Sequence, residues 1–144
     1  GRLSAPFLVE TYTDALTFCD RPEPVTELEA KFSLQHAVAV VADGRAAEPA
    51  DFAPEAIAAL APLRQQVSVA EDATITARYP RHFGARLNGV EVMDALGDPE
   101  RPMGETEIVA KMGMLGRWGG LENAQIDRAV ELALLSDDAE AIVA

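Results

Sequence analysis

Apolar positions along this chain switch between a spacing of two and a spacing of three to four, and the switches divide it into strands, helices and turns. The stretch FLVETYTDALTF, Phe7–Phe18, is rich in β-branched and aromatic residues with partial alternation. It predicts a strand, followed by a proline-broken loop at RPEP. Thr26 and Glu29 form a T-x-x-E capping box, in which hydroxyl and carboxylate each satisfy an orphan amide. A helix is predicted over Glu27–Val41, ended by Asp43-Gly44 because glycine takes the left-handed C′ conformation without a Cβ clash. A second helix is predicted over Pro54–Ala61, with Pro54 where no amide is needed and Pro62 near the end.

Gln65–Val69 alternates again and reads as a strand, and YPRHFG reads as a loop. Asn88-Gly89 between ARL and VEV is a hairpin signal, since both central residues of such a turn need positive φ. GDPERPMG is turn chemistry. Gly104–Trp118 predicts a helix with Ile108, Met112 and Leu115 on one face, stopped by Gly119-Gly120. The last helix, Asn123–Leu135, carries Ile126, Val130 and Leu134 at helical spacing.

The order strand, two helices, strands, two helices favours an α+β fold over alternating α/β. The expected architecture is a two-layer domain over residues 1–97, a small and mostly antiparallel sheet packed by helices, followed by two C-terminal helices within 98–144. The length of 144 residues suits one core of its own.

Twelve basic against twenty-four acidic residues give a formal charge of −12, spread along the chain. Such a surface repels a phosphate backbone, so nucleic acid is not an expected partner. The longest strongly apolar stretch, Ala37–Ala42, is far short of the ~20 residues of a membrane span. One cysteine, Cys19, excludes an internal disulfide framework and fits a cytoplasmic setting. The start at Gly-Arg, without Met or an apolar leader, reads as a cut end with sequence missing upstream.

The chain has no phosphate loop, dinucleotide fingerprint, nucleophile elbow or His-Glu-x-x-His pair, and no metal is expected. His36 shares a face with Glu29, Phe32 and Ser33 on the expected first helix. From spacing alone it is either a proton donor or carboxylate binder, or a histidine packed between helix and sheet. His82 lies among Arg78, Arg81 and Arg86 in a solvated loop. Trp118 reads as an anchor of its helix end, the methionines as filler, and Cys19 as an unactivated thiol.

The stretch EAKFSLQHAVAVVADGR, Glu29–Arg45, is similar to a helix of the MmgE/PrpD family written A-K/R-F-S-x-x-Y/H-A-V-A, an aliphatic run, then Asp-Gly. Gln66–Val69, Tyr79-Pro80, Ala85-Arg86, GDPERPM and the helix starting near Glu105 follow in the family's order, so the chain resembles the family's C-terminal part from about Val9 to Leu134. The resemblance implies a two-domain enzyme, a large helical domain and an α+β lid, with the active site in the cleft between them. Members include 2-methylcitrate dehydratase, cis-aconitate decarboxylase and iminodisuccinate epimerase, which act on small polycarboxylates without metal or other cofactor.

It further implies His36 as a catalytic residue, its ring partly exposed near Ser33 and Glu29, and Lys31 and Ser33 as substrate-binding residues. The partners would be a helical domain absent from this chain, a small polycarboxylate and further copies in a homo-oligomer. The rival expectation is a free-standing interaction module derived from that lid, binding protein through its terminal helices.

Overall fold

The structure, a computed structural model, describes residues 5–135. β1, Phe7–Thr11, is its central strand, and it buries Phe7, Val9 and Thr11 from one face, as a period of two requires. The expected extension to Phe18 does not occur. Beyond Thr11 the inward positions become Tyr12, Ala15, Leu16 and Cys19, a helical spacing, and the chain forms α1 over Thr13–Cys19.

The capping box forms as read: Glu29 N donates to Thr26 Oγ1, and Glu29 Oε2 accepts from the amides of Thr26 and Val25. The helix it starts is short. α2 spans Glu27–Lys31, and α3, Leu34–Ala42, begins separately after an extended Ser33 with φ −118° and ψ 110°. One expected helix is therefore two, because the Ser33 hydroxyl accepts from His36 N and donates to Arg21 O, making the serine an N-cap instead of an interior residue. Gly44 ends α3 with φ 85°, the conformation expected of it.

After a 3-10 turn at Pro49–Phe52, α4 spans Pro54–Ala59 and α5 spans Ala61–Arg64. Pro62 does not end the helix read over Pro54–Ala61. It sits in the first turn of α5, where a missing amide is harmless. β2, Val67–Glu71, follows; then α6, Ala73–Thr76, a helix the sequence did not lead us to expect, capped by Asp72 Oδ1 on the amides of Thr74 and Ile75.

β3, Ala85–Leu87, and β4, Val90–Val92, form the expected hairpin, with Asn88 and Gly89 at φ 47° and 84°. Asn88 also fixes the hairpin to β1: its Oδ1 accepts from Leu8 N and its Nδ2 donates to Pro6 O.

The sheet order is β2-β1-β3-β4. β1 and β2 are parallel with Phe7 opposite Val67, and the other two pairings are antiparallel, so the α+β sheet is mixed. The helical segment from α1 to α5 supplies the crossover that a parallel pair needs. α3 occupies the middle: Ala42 joins Phe7, Val9 and Val67 on the sheet side, and Ala39 and Val40 meet Leu60 on the other.

The described residues divide into two compact units between Arg101 and Pro102. In the second, α7 (Glu105–Trp118) and α8 (Asn123–Leu135) form a helical hairpin. The two helices pack tightly at Gly116, where an added Cβ would lie 2.7 Å from Ile126 Cγ1. Gly116→Val should therefore push Ile126 out of its buried seat and cost about 1–3 kcal/mol. Reduced amide protection in α7 and α8, with the sheet unchanged, is the expected readout; undiminished protection would refute this packing.

Candidate functional site

The residues singled out by the motif lie at the corner between α2 and α3, and the break at Ser33 sends them in different directions. Lys31, half-exposed on α2, pairs with Glu27 across one turn, Nζ to Oε1 at 2.7 Å. Ser33 is buried, and its hydroxyl is engaged by Arg21 O at 2.6 Å and by His36 N at 3.0 Å. His36 is enclosed, with 0% of its surface exposed. The expected ring, partly open to a cleft, is thus not what the fold produces. Glu29 is turned away to cap Val25 and Thr26, and those two amides hold its carboxyl below the usual range.

Part of the enclosure is Arg64, a residue without a role in the sequence-based expectations. Arg64 is buried at the end of α5 and, among the described residues, makes no salt bridge. Its Nε donates to Pro22 O at 3.0 Å, and its Nη1 donates to Ile57 O at 2.8 Å and to His36 Nδ1 at 3.3 Å. A guanidinium has donors only, so Nδ1 must be the accepting nitrogen and the ring proton must sit on Nε2. There it donates to Asp51 O at 2.8 Å. The Phe52 ring closes the pocket edge-on at 5.5 Å. Burial, and after it the positive charges of Arg64 and Arg45, push the imidazole below its ordinary pKa, against the opposing pull of the Asp51 carbonyl. A signal for Arg64 was present, since Ile57, Leu60 and Arg64 fall at i, i+3 and i+7 and share the buried face.

A second polar group surrounds the sheet's far end. Arg86 Nη1 reaches Glu10 at 3.2 Å and Asp72 at 2.9 Å, while its Nη2 reaches Glu91 at 2.8 Å; Arg78 shares Glu91. These hydrogen bonds raise the pKa of Arg86 and lower that of Glu91, while the Ile75 amide, and after it Arg86, lowers that of Asp72. His82 is not the solvated residue among arginines that was expected. Its Nδ1 is 2.7 Å from Asp94 Oδ1 and both side chains are mostly buried, while Arg78 and Arg86 are committed to carboxylates. Tyr12 stacks on Tyr79 at 4.6 Å, with Phe83 edge-on to both.

No group of three His, Cys, Asp or Glu side chains suited to a metal ion occurs among the described residues. No helix among them is long and apolar enough to cross a membrane. Cys19 is half-buried, and Trp118 is exposed at the end of α7.

The comparison with family profiles decides the relationship: the MmgE/PrpD C-terminal domain matches residues 8–135. The chain belongs to the MmgE/PrpD C-terminal domain family. No curated protein matches it. Within this MmgE/PrpD C-terminal domain, the motif corner is the joint between α2 and α3: Ser33 and His36 face inward, and of Lys31, Ser33 and His36, Lys31 alone is exposed.

The joint makes Arg64 the residue whose loss should cost most. Arg64→Ala would leave Pro22 O, Ile57 O and His36 Nδ1 without their donor, a loss on the order of 3 kcal/mol. Arg64→Lys should recover little, because an ammonium cannot reproduce the planar fork. Urea unfolding of both variants measures this, and wild-type stability of the lysine variant would contradict it.

Proposed function

We propose that this chain is the lid and terminal-helix part of a lyase or isomerase acting on small polycarboxylates, and that another domain supplies most of the acid, base and carboxylate clamp. The family match over residues 8–135 carries this reading. The chemistry would begin with removal of a proton from carbon next to a carboxylate, followed by elimination, decarboxylation or return of the proton to the other face. Such chemistry needs a base, an acid and fixed cations converging on one substrate.

The disposition of the candidate groups supports incompleteness. His36 is enclosed with both nitrogens engaged, His82 is tied to Asp94, and Arg78 and Arg86 are committed to carboxylates. A net charge of −12 also repels a polyanionic substrate unless a basic surface elsewhere gathers it. In this reading Lys31 is the motif's substrate-facing cation, and Ser33 and His36 act as positioning residues that hold the corner presenting it. A cytoplasmic homo-oligomer belongs to the same proposal.

A second reading, a protein-interaction module, is favoured by the exposure of Leu115, Trp118 and Leu121 in the second unit. The upstream reading frame separates the two, since an encoded helical domain removes the free-standing module.

This chain alone should show no turnover of 2-methylcitrate or cis-aconitate above a blank, while the chain joined to a helical domain should act on a small polycarboxylate. Turnover by the isolated chain, with contaminating enzyme excluded, would overturn the proposal. In the joined enzyme Lys31→Ala should lower kcat/KM by roughly 10- to 100-fold, about 1.4–2.7 kcal/mol of lost substrate interaction, with unchanged melting. An unaltered kcat/KM would remove Lys31 from the site.

A further inference from the structure

We propose that His36 and Arg64 form an acid-sensitive latch: a proton added to His36 Nδ1 expels the Arg64 guanidinium and frees the loop that Arg64 holds through Pro22. The basis is geometric. Arg64 Nη1 sits 3.3 Å from Nδ1, and Nε2 already donates to Asp51 O at 2.8 Å, so the neutral Nε2–H tautomer is the one form in which every contact of the ring pairs a donor with an acceptor. A second proton has only Nδ1 to occupy. It would point an imidazolium N–H at a guanidinium N–H, with like charges in van der Waals contact inside a buried pocket.

The groups around the ring do not offset that repulsion. Arg64 faces it from α5 and Arg45 from the segment after α3; from the 3-10 turn come the Asp51 carbonyl, the Asp51 carboxylate and the edge of Phe52. The Asp51 carboxylate is the sole anion among them and is already shared between Arg45 Nη1 at 3.4 Å and Glu48 N at 2.9 Å. Glu23 attracts Arg64 and gives the displaced guanidinium somewhere to go.

Displacement has a defined consequence. Arg64 is the donor to Pro22 O, in the loop between α1 and α2, and to Ile57 O in α4. The loop keeps other ties: from the start of α3, Ser33 Oγ donates to Arg21 O, Gln35 Nε2 donates to Asp20 Oδ1 and Gln35 Oε1 accepts from Arg21 N, while Arg21 Nε donates to Phe18 O of α1 and Glu29 of α2 accepts from Val25 N. Acid would thus detach the loop from α5 while leaving it attached to α3, a local opening and not global unfolding.

The sign follows from linkage. Burial lowers the His36 pKa in the folded state below about 6.5, its value in an unfolded chain, so the folded form binds fewer protons between the two values and stability falls as pH drops through that window. Glu29, Glu71, Asp72 and Glu91 also have lowered pKa values, and their contribution is lost only near and below the ordinary carboxylate range of about 4, so the two effects separate in pH.

The test is a histidine NMR titration of the full chain, with His82→Gln used for assignment, together with amide exchange followed as protection factors from pH 7.5 to 5. The expected result is an Nε2–H tautomer for His36 at pH 7.5 that resists protonation past pH 6.5. As it protonates, protection in the 20–25 loop should fall roughly tenfold before β1 changes. His36→Gln should remove that step above pH 5. An imidazolium at pH 7.5, or titration of His36 without any change in the loop, would overturn the latch. Should His36→Gln fail to fold, the wild-type titration and exchange decide the question by themselves.

Discussion

A guanidinium taken out of water must find acceptors for its N–H groups, and in this domain Arg64 finds them on three separate segments: the loop before α2, the helix α4 and the imidazole of α3. Much of the first unit follows from that requirement. Pro22 must come within reach, which fixes the loop between α1 and α2. His36 must present a lone pair, which fixes its tautomer and directs its proton to Asp51. Ser33 closes the corner from the other side, and the motif run folds as two helices with a turn between them and not as one rod. Hydrophobic packing alone would have accepted a longer, straight helix; the buried polar groups would not.

The sheet is held by a different kind of interaction. Around Arg86 the carboxylates of Glu10, Asp72 and Glu91 are partly exposed, and each pair in isolation contributes little, being screened by water. Their value is geometric. One guanidinium joins β1, the cap of α6 and β4, so the short hairpin is pinned to the central strand by side chains as well as by its ladder and by Asn88. Three-residue strands have few backbone bonds to spare, and this cluster compensates for their shortness.

Membership of the MmgE/PrpD C-terminal domain family places these devices in a functional setting. Of the polar residues Lys31, Ser33 and His36 in its motif, Lys31 is exposed, and Ser33 and His36 are buried at the corner behind it. Ser33 and His36 have their polar atoms engaged in a buried setting, whereas Lys31 pairs with Glu27 at the exposed surface.

The sequence by itself determined the features governed by near neighbours: the Thr26 and Glu29 capping box, the positive-φ turn at Asn88-Gly89, the stop at Gly44, the two terminal helices, the α+β character and the family. Each depends on residues a few positions apart, whose chemistry acts before distant segments meet. The end of β1 at Thr11, the break at Ser33 and the helix α6 were written less plainly, because local apolar patterns there suited more than one element. Only the tertiary structure decided that β1 lies parallel to β2 and antiparallel to β3, that Arg64 donates to three separate segments, and that His36 spends both nitrogens inside the domain. Those outcomes depend on which distant groups compete for the same buried space, and a lone histidine or arginine in a sequence carries no mark of the partner that will desolvate it.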